Sequence, residues 1–149
     1  MATILLVDDH ADLRDMMTRQ LQNHGYAVTT ACNGHEAVAI AAQGAPALIL
    51  MDVNMPELDG FEATMQIRAA EGANRVPVIA LTAYALPGDE ARAIAAGCDA
   101  FHAKPVDFAK LIGQITNLIG ETATDANETD ANETNANETA DLSNNTSID

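Results

Sequence analysis

Aspartates follow two apolar runs of the sequence, at positions where a buried strand would end. Asp52 comes directly after the run at 48–51, and the pair Asp8 and Asp9 comes after the run at 4–7. If these two strands are neighbours, their carboxylates share one pocket, and carboxylates that close cannot all stay ionised without a cation. The pattern therefore predicts a divalent metal beside an aspartate that does chemistry.

Short apolar runs alternate with helical patterns over residues 1–120. The strand candidates lie at 4–7, 26–31, 48–51, 78–81 and 100–103. The first, third and fourth runs are continuously apolar, which favours parallel strands covered on both faces. Five such βα units predict a doubly wound α/β sandwich.

The starts of several helices can be read between these strands. Asn33 with Glu36 and Asp59 with Glu62 fit the capping-box pattern. Asp107 is the predicted cap of the last helix, whose apolar residues recur at helical spacing on one face. These apolar residues are Phe108, Leu111, Ile112, Ile115, Leu118 and Ile119.

Fold rules indicate where a site would form. Open parallel sheets bind ligands beyond the carboxyl ends of their strands. Thr82 ends the fourth predicted strand and Lys104 follows the fifth. Together with Asp8, Asp9 and Asp52, these residues are predicted to converge on one edge of the sheet.

Four motifs in order resemble the receiver domain of two-component response regulators. They are Asp8-Asp9, the stretch MDVNMPELDG at 51–60, the triplet LTA at 81–83, and Lys104-Pro105. The resemblance runs from residue 2 to residue 120. It implies a flavodoxin-like sandwich of three layers, in which a five-stranded parallel sheet of order 2-1-3-4-5 is covered by five helices.

The resemblance implies a role for each aspartate. Asp52 would take a phosphoryl group from a phosphohistidine, since a carboxylate can form an aspartyl phosphate. Asp8, Asp9 and Asp52 would hold Mg²⁺ with the backbone carbonyl of Asn54, Asp9 directly and Asp8 through water.

Three further residues acquire roles by the same resemblance. Lys104 would place a positive charge on a phosphoryl oxygen, and the Thr82 hydroxyl would donate to another. Phosphorylation would draw Thr82 inward and alter the position of Phe101, the switch residue, although plain core packing is an alternative for Phe101. The Lys104–Pro105 bond is implied to be cis. The moving surface would comprise the fourth helix, fifth strand and fifth helix.

Composition excludes several classes of function. A net charge of −15 argues against direct nucleic-acid binding. No apolar run reaches the length of a membrane span and no secretory signal begins the chain, so a cytoplasmic protein without membrane insertion is expected. Cys32 and Cys98 have no metal-ligand spacing and are predicted to be buried, reduced thiols.

Charge and repeats divide the chain after residue 120. Residues 1–120, the predicted receiver domain, carry net −7, whereas residues 121–149 carry net −8 without a basic side chain. A five-residue repeat such as DANET fills much of this second segment, which is too polar to bury a core. Residues 121–149 are therefore predicted to be a disordered, acidic, low-complexity tail. It would act as a solubilising appendage, a spacer or a mimic of an acidic partner.

These observations favour a single-domain response regulator that serves as a signalling switch. Its phosphoryl donor would be a sensor histidine kinase or a histidine phosphotransfer protein, and its output would be switchable protein binding or onward phosphorelay. It would catalyse only its own phosphorylation and dephosphorylation.

Two other classes of function remain as alternatives. An aspartyl-phosphate-type phosphatase usually has Asp-x-Asp-x-Thr after the strand, where this chain has Asn54 and Pro56. A flavodoxin-like ligand-binding module would need a glycine-rich phosphate loop after the first strand, where Asp8 and Asp9 stand instead.

Overall fold

Strands and helices alternate through the part of the chain that the computed structural model describes, residues 2–44, 46–70, 75–83 and 86–120. The predicted acidic tail at 121–149 lies outside the described residues. The strands are β1 (Thr3–Val7), β2 (Ala27–Ala31), β3 (Leu48–Asp52), β4 (Val78–Thr82) and β5 (Ala100–Ala103). The helices are α1 (Ala11–Asn23), α2 (Gly34–Gln43), α3 (Gly60–Ala70), α4 (Asp89–Ala96) and α5 (Phe108–Ile119).

The strands form one parallel sheet in the order β2-β1-β3-β4-β5, so the predicted fold and strand order are confirmed. β3 and β4 are buried along their whole length. Helices cover both of their faces, which explains why their sequences are continuously apolar. β2 lies at an edge of the sheet and exposes Thr29 and Thr30. Its sequence is therefore more polar than those of the inner strands.

Each face of the sheet packs against its own helices, because successive strand side chains point to opposite faces. On one face the buried strand residues contact α2, α3 and α4; they include Leu5, Val7, Ile49, Met51, Val78 and Ala80. The alternate strand residues are buried on the other face, as are the inner residues of α1 and α5. These inner residues are Met17, Leu21, Leu111 and Ile115.

The predicted helix starts are observed, with one difference in detail. At α3 the capping box is reciprocal: Glu62 N donates to Asp59 Oδ1 at 2.9 Å, and Asp59 N donates to Glu62 Oε1 at 3.3 Å. At α2, Asn33 Oδ1 accepts from Glu36 N at 2.8 Å, but the Glu36 carboxylate accepts from Cys32 N instead of Asn33 N.

The start of α5 also matches its prediction. Asp107 Oδ1 accepts a hydrogen bond from Lys110 N at 3.2 Å, as expected of the cap of this helix.

The two cysteines differ in environment. Cys98 is buried against Thr64, as predicted, and both thiols are free. The prediction that Cys32 is buried is wrong, because Cys32 follows the end of the edge strand β2 and is exposed to solvent.

No helix in the described ranges is long and apolar enough to cross a membrane.

Candidate functional site

The register of the sheet brings the predicted site residues to one edge. Val7 at the end of β1 pairs with Met51 of β3, so Asp8 and Asp52 follow side by side. Thr82 of β4 pairs with Ala103 of β5, the residue before Lys104. The convergence predicted from strand order is therefore observed in the structure.

Asp52 is fully buried, and its two carboxylate oxygens have different surroundings. Oδ1 lies 3.3 Å from Lys104 Nζ and accepts a hydrogen bond from Asn54 N at 3.1 Å. Oδ2 is buried as well and has no hydrogen-bond partner among the described residues. Burial of a carboxylate oxygen without a hydrogen-bond partner destabilises the folded state. A new bond to Oδ2 would therefore offset part of that cost.

Burial dominates the electrostatics of Asp52. The pKa of this carboxyl is raised from 3.8 to about 6, chiefly because burial removes solvent, and the neighbouring Asp8 carboxylate also acts to raise it. The Lys104 ammonium and the Asn54 N–H act in the opposite direction and lower the pKa, but they do not cancel the effect of burial.

Asp8 is held firmly at the end of β1. Its backbone N donates to Ala31 O at 3.1 Å, and its Oδ1 accepts from His10 N at 2.8 Å. Arg14 Nη1 donates to the Asp8 carbonyl at 2.8 Å, a contact from α1 that the sequence pattern did not reveal. Lys104 Nζ lies 3.4 Å from Asp8 Oδ2, so the same ammonium contacts both buried carboxylates.

An acidic cluster at this edge could hold a cation. Among the described residues, Asp8, Asp9, His10 and Asp52 each offer a ligand atom, and these atoms lie within 4.8 Å of one another. Asp9 is more exposed than Asp8 and Asp52. Sequence reasoning identified the three aspartates but did not single out His10.

Asn54 joins the loop after β3 to the end of β4. Its side-chain Oδ1 accepts from Ala83 N at 2.9 Å and lies 3.3 Å from the Thr82 hydroxyl, which donates to it. The Thr82 hydroxyl therefore contacts Asn54 in this conformation. Sequence reasoning assigned only the backbone carbonyl of Asn54, because a side-chain bridge between two loops has no signature in spacing.

Gly60, at the start of α3, lies directly against the backbone of the site. A Cβ at this position would overlap the carbonyl oxygen of Asp52 and stand 2.8 Å from Val53 Cα. Gly60 N also donates to Val53 O at 3.2 Å. The glycine therefore allows the loop after β3 to fold back tightly and hold Asp52 in place.

Lys104 directly follows β5, and Phe101 lies near the start of that strand. The Lys104–Pro105 peptide bond is cis, as the resemblance implied. Lys104 N donates to Thr82 O at 2.7 Å, which ties the lysine to the strand that carries the threonine. Phe101 is half-buried against the core, a placement that fits both core packing and a switch role.

An open pocket of about 320 Å³ lies beside this cluster. Asn54 and Thr82 form part of its wall, and Asp89 and Arg92 of α4 form another part. The Arg92 guanidinium carbon lies 5.0 Å from the centre of the Phe61 ring. The pocket therefore opens to the protein surface beside Asn54 and Thr82.

The sheet order and the aspartates at its carboxyl edge define a receiver-type class of protein. A model of the response regulator receiver domain family matches residues 4–116 of this chain. The chain belongs to this family, whose members serve two-component systems as signalling switches.

Known proteins of this family resemble the chain over most of its length. The polar-differentiation response regulator DivK of Brucella anthropi is 33% identical over 119 residues, which cover 80% of this chain and 97% of that relative. The receiver domain of a sensor histidine kinase from Pseudomonas aeruginosa was solved with a magnesium ion coordinated in its active-site cleft. It is 41% identical with a TM-score of 0.74, and the match covers 80% of this chain and 98% of that one.

A third match comes from a complex. It is a chain in the co-crystal structure of the Saccharomyces cerevisiae histidine phosphotransfer protein Ypd1 with the receiver domain of its downstream response regulator Ssk1. This match has 30% identity and a TM-score of 0.74, and it covers 83% of this chain and 92% of that one.

Proposed function

We propose that Asp52 accepts a phosphoryl group from a phosphohistidine of a sensor histidine kinase or a histidine phosphotransfer protein. The observation that carries the proposal is the buried Asp52 Oδ2, which has no partner among the described residues although Lys104 and Asp8 lie beside it. Buried polar groups without a hydrogen-bond partner are rare in native structures, and a catalytic role is one of the reasons for which they persist. The similarity to a chain of the Ypd1–Ssk1 complex supports a histidine phosphotransfer protein as donor, and the similarity to the receiver domain of a sensor histidine kinase supports a histidine kinase.

In the proposed transfer, Asp52 Oδ2 attacks the phosphorus atom of the donor. The new O–P bond forms while the P–N bond to histidine breaks, and the electron pair returns to the imidazole nitrogen, which then takes up a proton. Asp52 attacks as a carboxylate, and a pKa of about 6 leaves most of it ionised at pH 7.

Lys104 and Thr82 stabilise the transferred group in this proposal. The Lys104 ammonium already lies 3.3 Å from Asp52 Oδ1 and carries a positive charge toward the phosphoryl oxygens. The Thr82 hydroxyl would leave Asn54 Oδ1, 3.3 Å away, to donate to one of those oxygens.

The donor set fits Mg²⁺, because this hard cation prefers a few carboxylate oxygens and keeps several waters. Asp8, Asp9 and Asp52 offer clustered oxygens, and the backbone carbonyl of Asn54 is assigned as a further ligand by family resemblance. When bound, Mg²⁺ would offset the repulsion between carboxylates and stabilise charge on the phosphoryl oxygens. The magnesium in the related kinase receiver supports this assignment.

The signal would be read by a protein partner on the surface formed by α4, β5 and α5, which we call the output face. The hydrogen bond from Lys104 N to Thr82 O connects β5 to the site, and Phe101 lies on the same strand. Ile94 of α4 is 62% exposed and offers this face an apolar contact. Phosphorylation would shift the population between two conformations of this face, in the cytoplasm and without direct nucleic-acid binding.

Labelling with a small phosphodonor tests the proposal directly. The full chain should gain one phosphoryl group from acetyl phosphate when Mg²⁺ is present, and it should gain none in EDTA. Asp52→Asn should abolish labelling. Asp59→Asn is the matched control, because Asp59 lies in the same loop and asparagine can still cap α3. Labelling that survives Asp52→Asn, or that needs no divalent cation, would refute the proposal.

A phosphotransfer profile would then identify the donor. The full chain is incubated with a panel of phosphorylated histidine kinases and histidine phosphotransfer proteins from its source organism, and the rate of transfer to Asp52 is measured for each. Back-transfer from phosphorylated protein to a phosphotransfer protein would indicate onward relay. Turnover of a phosphorylated metabolite, far above the rate of self-dephosphorylation, would instead favour the phosphatase alternative.

A further inference from the structure

His102 is a buried polar residue on the face of the sheet that packs against α5. It is 2% exposed, and it alternates on β5 with Phe101, which packs against the core cluster of the opposite face. Its register partner on β4 is Leu81, and the residues of α5 buried on this face, Leu111 and Ile115, are apolar as well. An imidazole in such surroundings destabilises the fold unless both of its nitrogens are hydrogen-bonded.

The hydrogen bonds of His102 form a chain that begins and ends on the backbone. Asp107 N donates to His102 Nε2 at 3.2 Å, so Nε2 is the acceptor and Nδ1 carries the proton. Nδ1 lies 2.8 Å from Gln114 Oε1, and Gln114 Nε2 donates in turn to Phe101 O at 3.2 Å. Because the first backbone group can only donate and the last can only accept, both side chains have one consistent orientation.

This chain of hydrogen bonds spans the loop that carries Lys104. The loop joins β5 to α5, and the bond from Asp107 N ties its far end back to the His102 ring. The near end is held by the bond from Lys104 N to Thr82 O at 2.7 Å. Lys104 therefore lies between two fixed points, one on β4 and one on the side chain of His102.

The Lys104 ammonium stands at the end of a flexible side chain, so its place depends on how the loop is held. Nζ lies 3.3 Å from Asp52 Oδ1 and 3.4 Å from Asp8 Oδ2. A misplacement of about 1 Å at a reacting centre can lower a rate about 100-fold. A shift of this loop would therefore weaken the contribution of Lys104 to the proposed transfer.

We propose that His102 is a positioning residue that holds the loop between β5 and α5 so that the Lys104 ammonium reaches the group transferred to Asp52. It acts through its bonds to Asp107 and Gln114 and not by contact with the reacting atoms. This inference rests on the proposed function and adds to it a residue outside the cluster of carboxylates.

Asparagine and glutamine in place of His102 separate the contact with the loop from the contact with the helix. The amide of asparagine stands near the position of Nδ1, so His102→Asn keeps a donor for Gln114 and leaves Asp107 N without its acceptor. The amide of glutamine reaches the position of Nε2, so His102→Gln keeps an acceptor for Asp107 N and loses the bond to Gln114. Each variant loses one hydrogen bond, and the two should unfold at similar urea concentrations.

Labelling of Asp52 in the full chain by acetyl phosphate with Mg²⁺ measures the effect on the reaction. His102→Asn should lower the maximal rate by about 10–100-fold, because a displaced Lys104 no longer stabilises the transferred group. The half-saturating concentration of acetyl phosphate should change by less than about twofold, since His102 does not bind the donor. His102→Gln should stay within about threefold of the unchanged protein, because it still holds the loop. Equal losses in the two variants would overturn the inference.

A spectroscopic readout follows Lys104 without any phosphodonor. The chain has two lysines, Lys104 and Lys110, so protein labelled with ¹³C at lysine Cε gives two signals. Lys110 is exposed on α5 and serves as the internal reference. His102→Asn should move the Lys104 signal toward that of Lys110, whereas His102→Gln should leave it in place. A Lys104 signal that does not move in His102→Asn would also overturn the inference.

Gln114→Leu provides the same test from α5 if His102→Asn does not fold. It frees the imidazole from the helix and leaves His102 itself in place. The Lys104 signal should move in the same direction as in His102→Asn, and the maximal labelling rate should fall. An unmoved signal in the folded Gln114→Leu protein would contradict the positioning role.

These outcomes separate the inference from the proposed function. If acetyl phosphate labels Asp52 at the same rate in His102→Asn as in the unchanged protein, only the inference fails. If no phosphodonor labels Asp52 but His102→Asn moves the Lys104 signal, the positioning of Lys104 by His102 stands and the proposed function fails.

Discussion

Lys104 Nζ lies 3.3 Å from Asp52 Oδ1, although the strands that lead to these residues are separated in the sheet by β4. The lysine side chain crosses the edge of β4 to reach the carboxylate, and only one oxygen of Asp52 is paired in this way. The other oxygen, Oδ2, has no partner among the described residues. Lys104 therefore neutralises the negative charge of Asp52 only in part. For this reason the stability of the protein should depend on pH, and the pKa of Asp52 should depend on substitutions at this site.

Asp52 should make the stability of the protein depend on pH. Its pKa is about 6 in the folded state and 3.8 in the unfolded reference, so folding favours the protonated carboxyl. The resulting destabilisation is absent below pH 4, grows as the pH rises through 6 and stays constant above it. Asp52→Asn should thus raise the free energy of unfolding by at most about 3 kcal/mol at pH 8 and by little at pH 4.

Urea unfolding in EDTA at pH 4, 6 and 8 measures this difference. Asp59→Asn serves as the control, with a small effect at every pH because Asp59 caps α3 and is partly exposed. A gain from Asp52→Asn that is equal at all three pH values would contradict the prediction.

Replacing Lys104 by methionine should raise the pKa of Asp52 above 6. Lys104 lowers this pKa by its charge and by its contact with Oδ1, so its removal leaves burial and Asp8 unopposed. A ¹³C NMR titration of the Asp52 carboxyl measures the shift. Lys110→Met, which removes an exposed lysine of α5, should leave the titration midpoint in place.

Gly60→Ala should destabilise the protein and disturb the site. The added Cβ would overlap the backbone of Asp52 and Val53, which is less free to move than a flexible side chain. Overpacking of this kind lowers the free energy of unfolding by about 1–3 kcal/mol. Gly113→Ala in α5 is the matched control. A Cβ at position 113 would have no heavy atom of the described residues within 4 Å, so this substitution should stabilise the helix by about 0.5–1 kcal/mol.

Thermal or urea unfolding of the two glycine variants measures both effects. Acetyl phosphate labelling should fall for Gly60→Ala and remain normal for Gly113→Ala. Equal stability changes in the two variants would show that the close approach at Gly60 is unimportant.

His102 should be coupled to Gln114 across β5 and α5. Nδ1 of the buried His102 lies 2.8 Å from Gln114 Oε1, and its Nε2 accepts from Asp107 N at 3.2 Å. Because Asp107 N is a donor, Nε2 is the acceptor and Nδ1 carries the proton. His102→Leu removes both hydrogen bonds and should cost about 1–3 kcal/mol.

A double-mutant cycle with Gln114→Leu checks the coupling. Together the two substitutions should cost less than the sum of the separate costs, with an interaction energy of about 0.5–3 kcal/mol. Strictly additive losses would mean that the hydrogen bond between these side chains contributes little.

Deletion of residues 121–149 should leave phosphorylation of Asp52 unchanged. The site is built from residues between Asp8 and Lys104, and the deleted segment holds 8 acidic and no basic side chains. Its net charge of −8 repels a phosphoryl group, and it has no lysine or arginine side chain to bind one. Labelling rates of the full and shortened chains provide the measurement, and a large loss on deletion would contradict the prediction.

Sequence patterns were most informative where local interactions decide the structure. Continuous apolar runs marked the strands β1, β3 and β4, and Asp59 with Glu62 marked the start of α3 correctly. The convergence of the site residues followed from the parallel order of strands. Cys32 was predicted wrongly, because free cysteines are usually buried and nothing in the local sequence shows that Cys32 follows a strand at the edge of the sheet.

The sequence by itself determined the elements, the class of fold and the identity of the side chains at the sheet edge, since hydrophobic period and strand-end polarity are local properties. Only the tertiary structure decided that Asp52 Oδ2 lacks a partner, that Gly60 packs against the Asp52 backbone and that His10 faces Asp8 and Asp9. These relationships depend on distances of a few ångströms between separate loops. Such distances are set by packing of the whole sheet and its helices, which no spacing along the chain encodes.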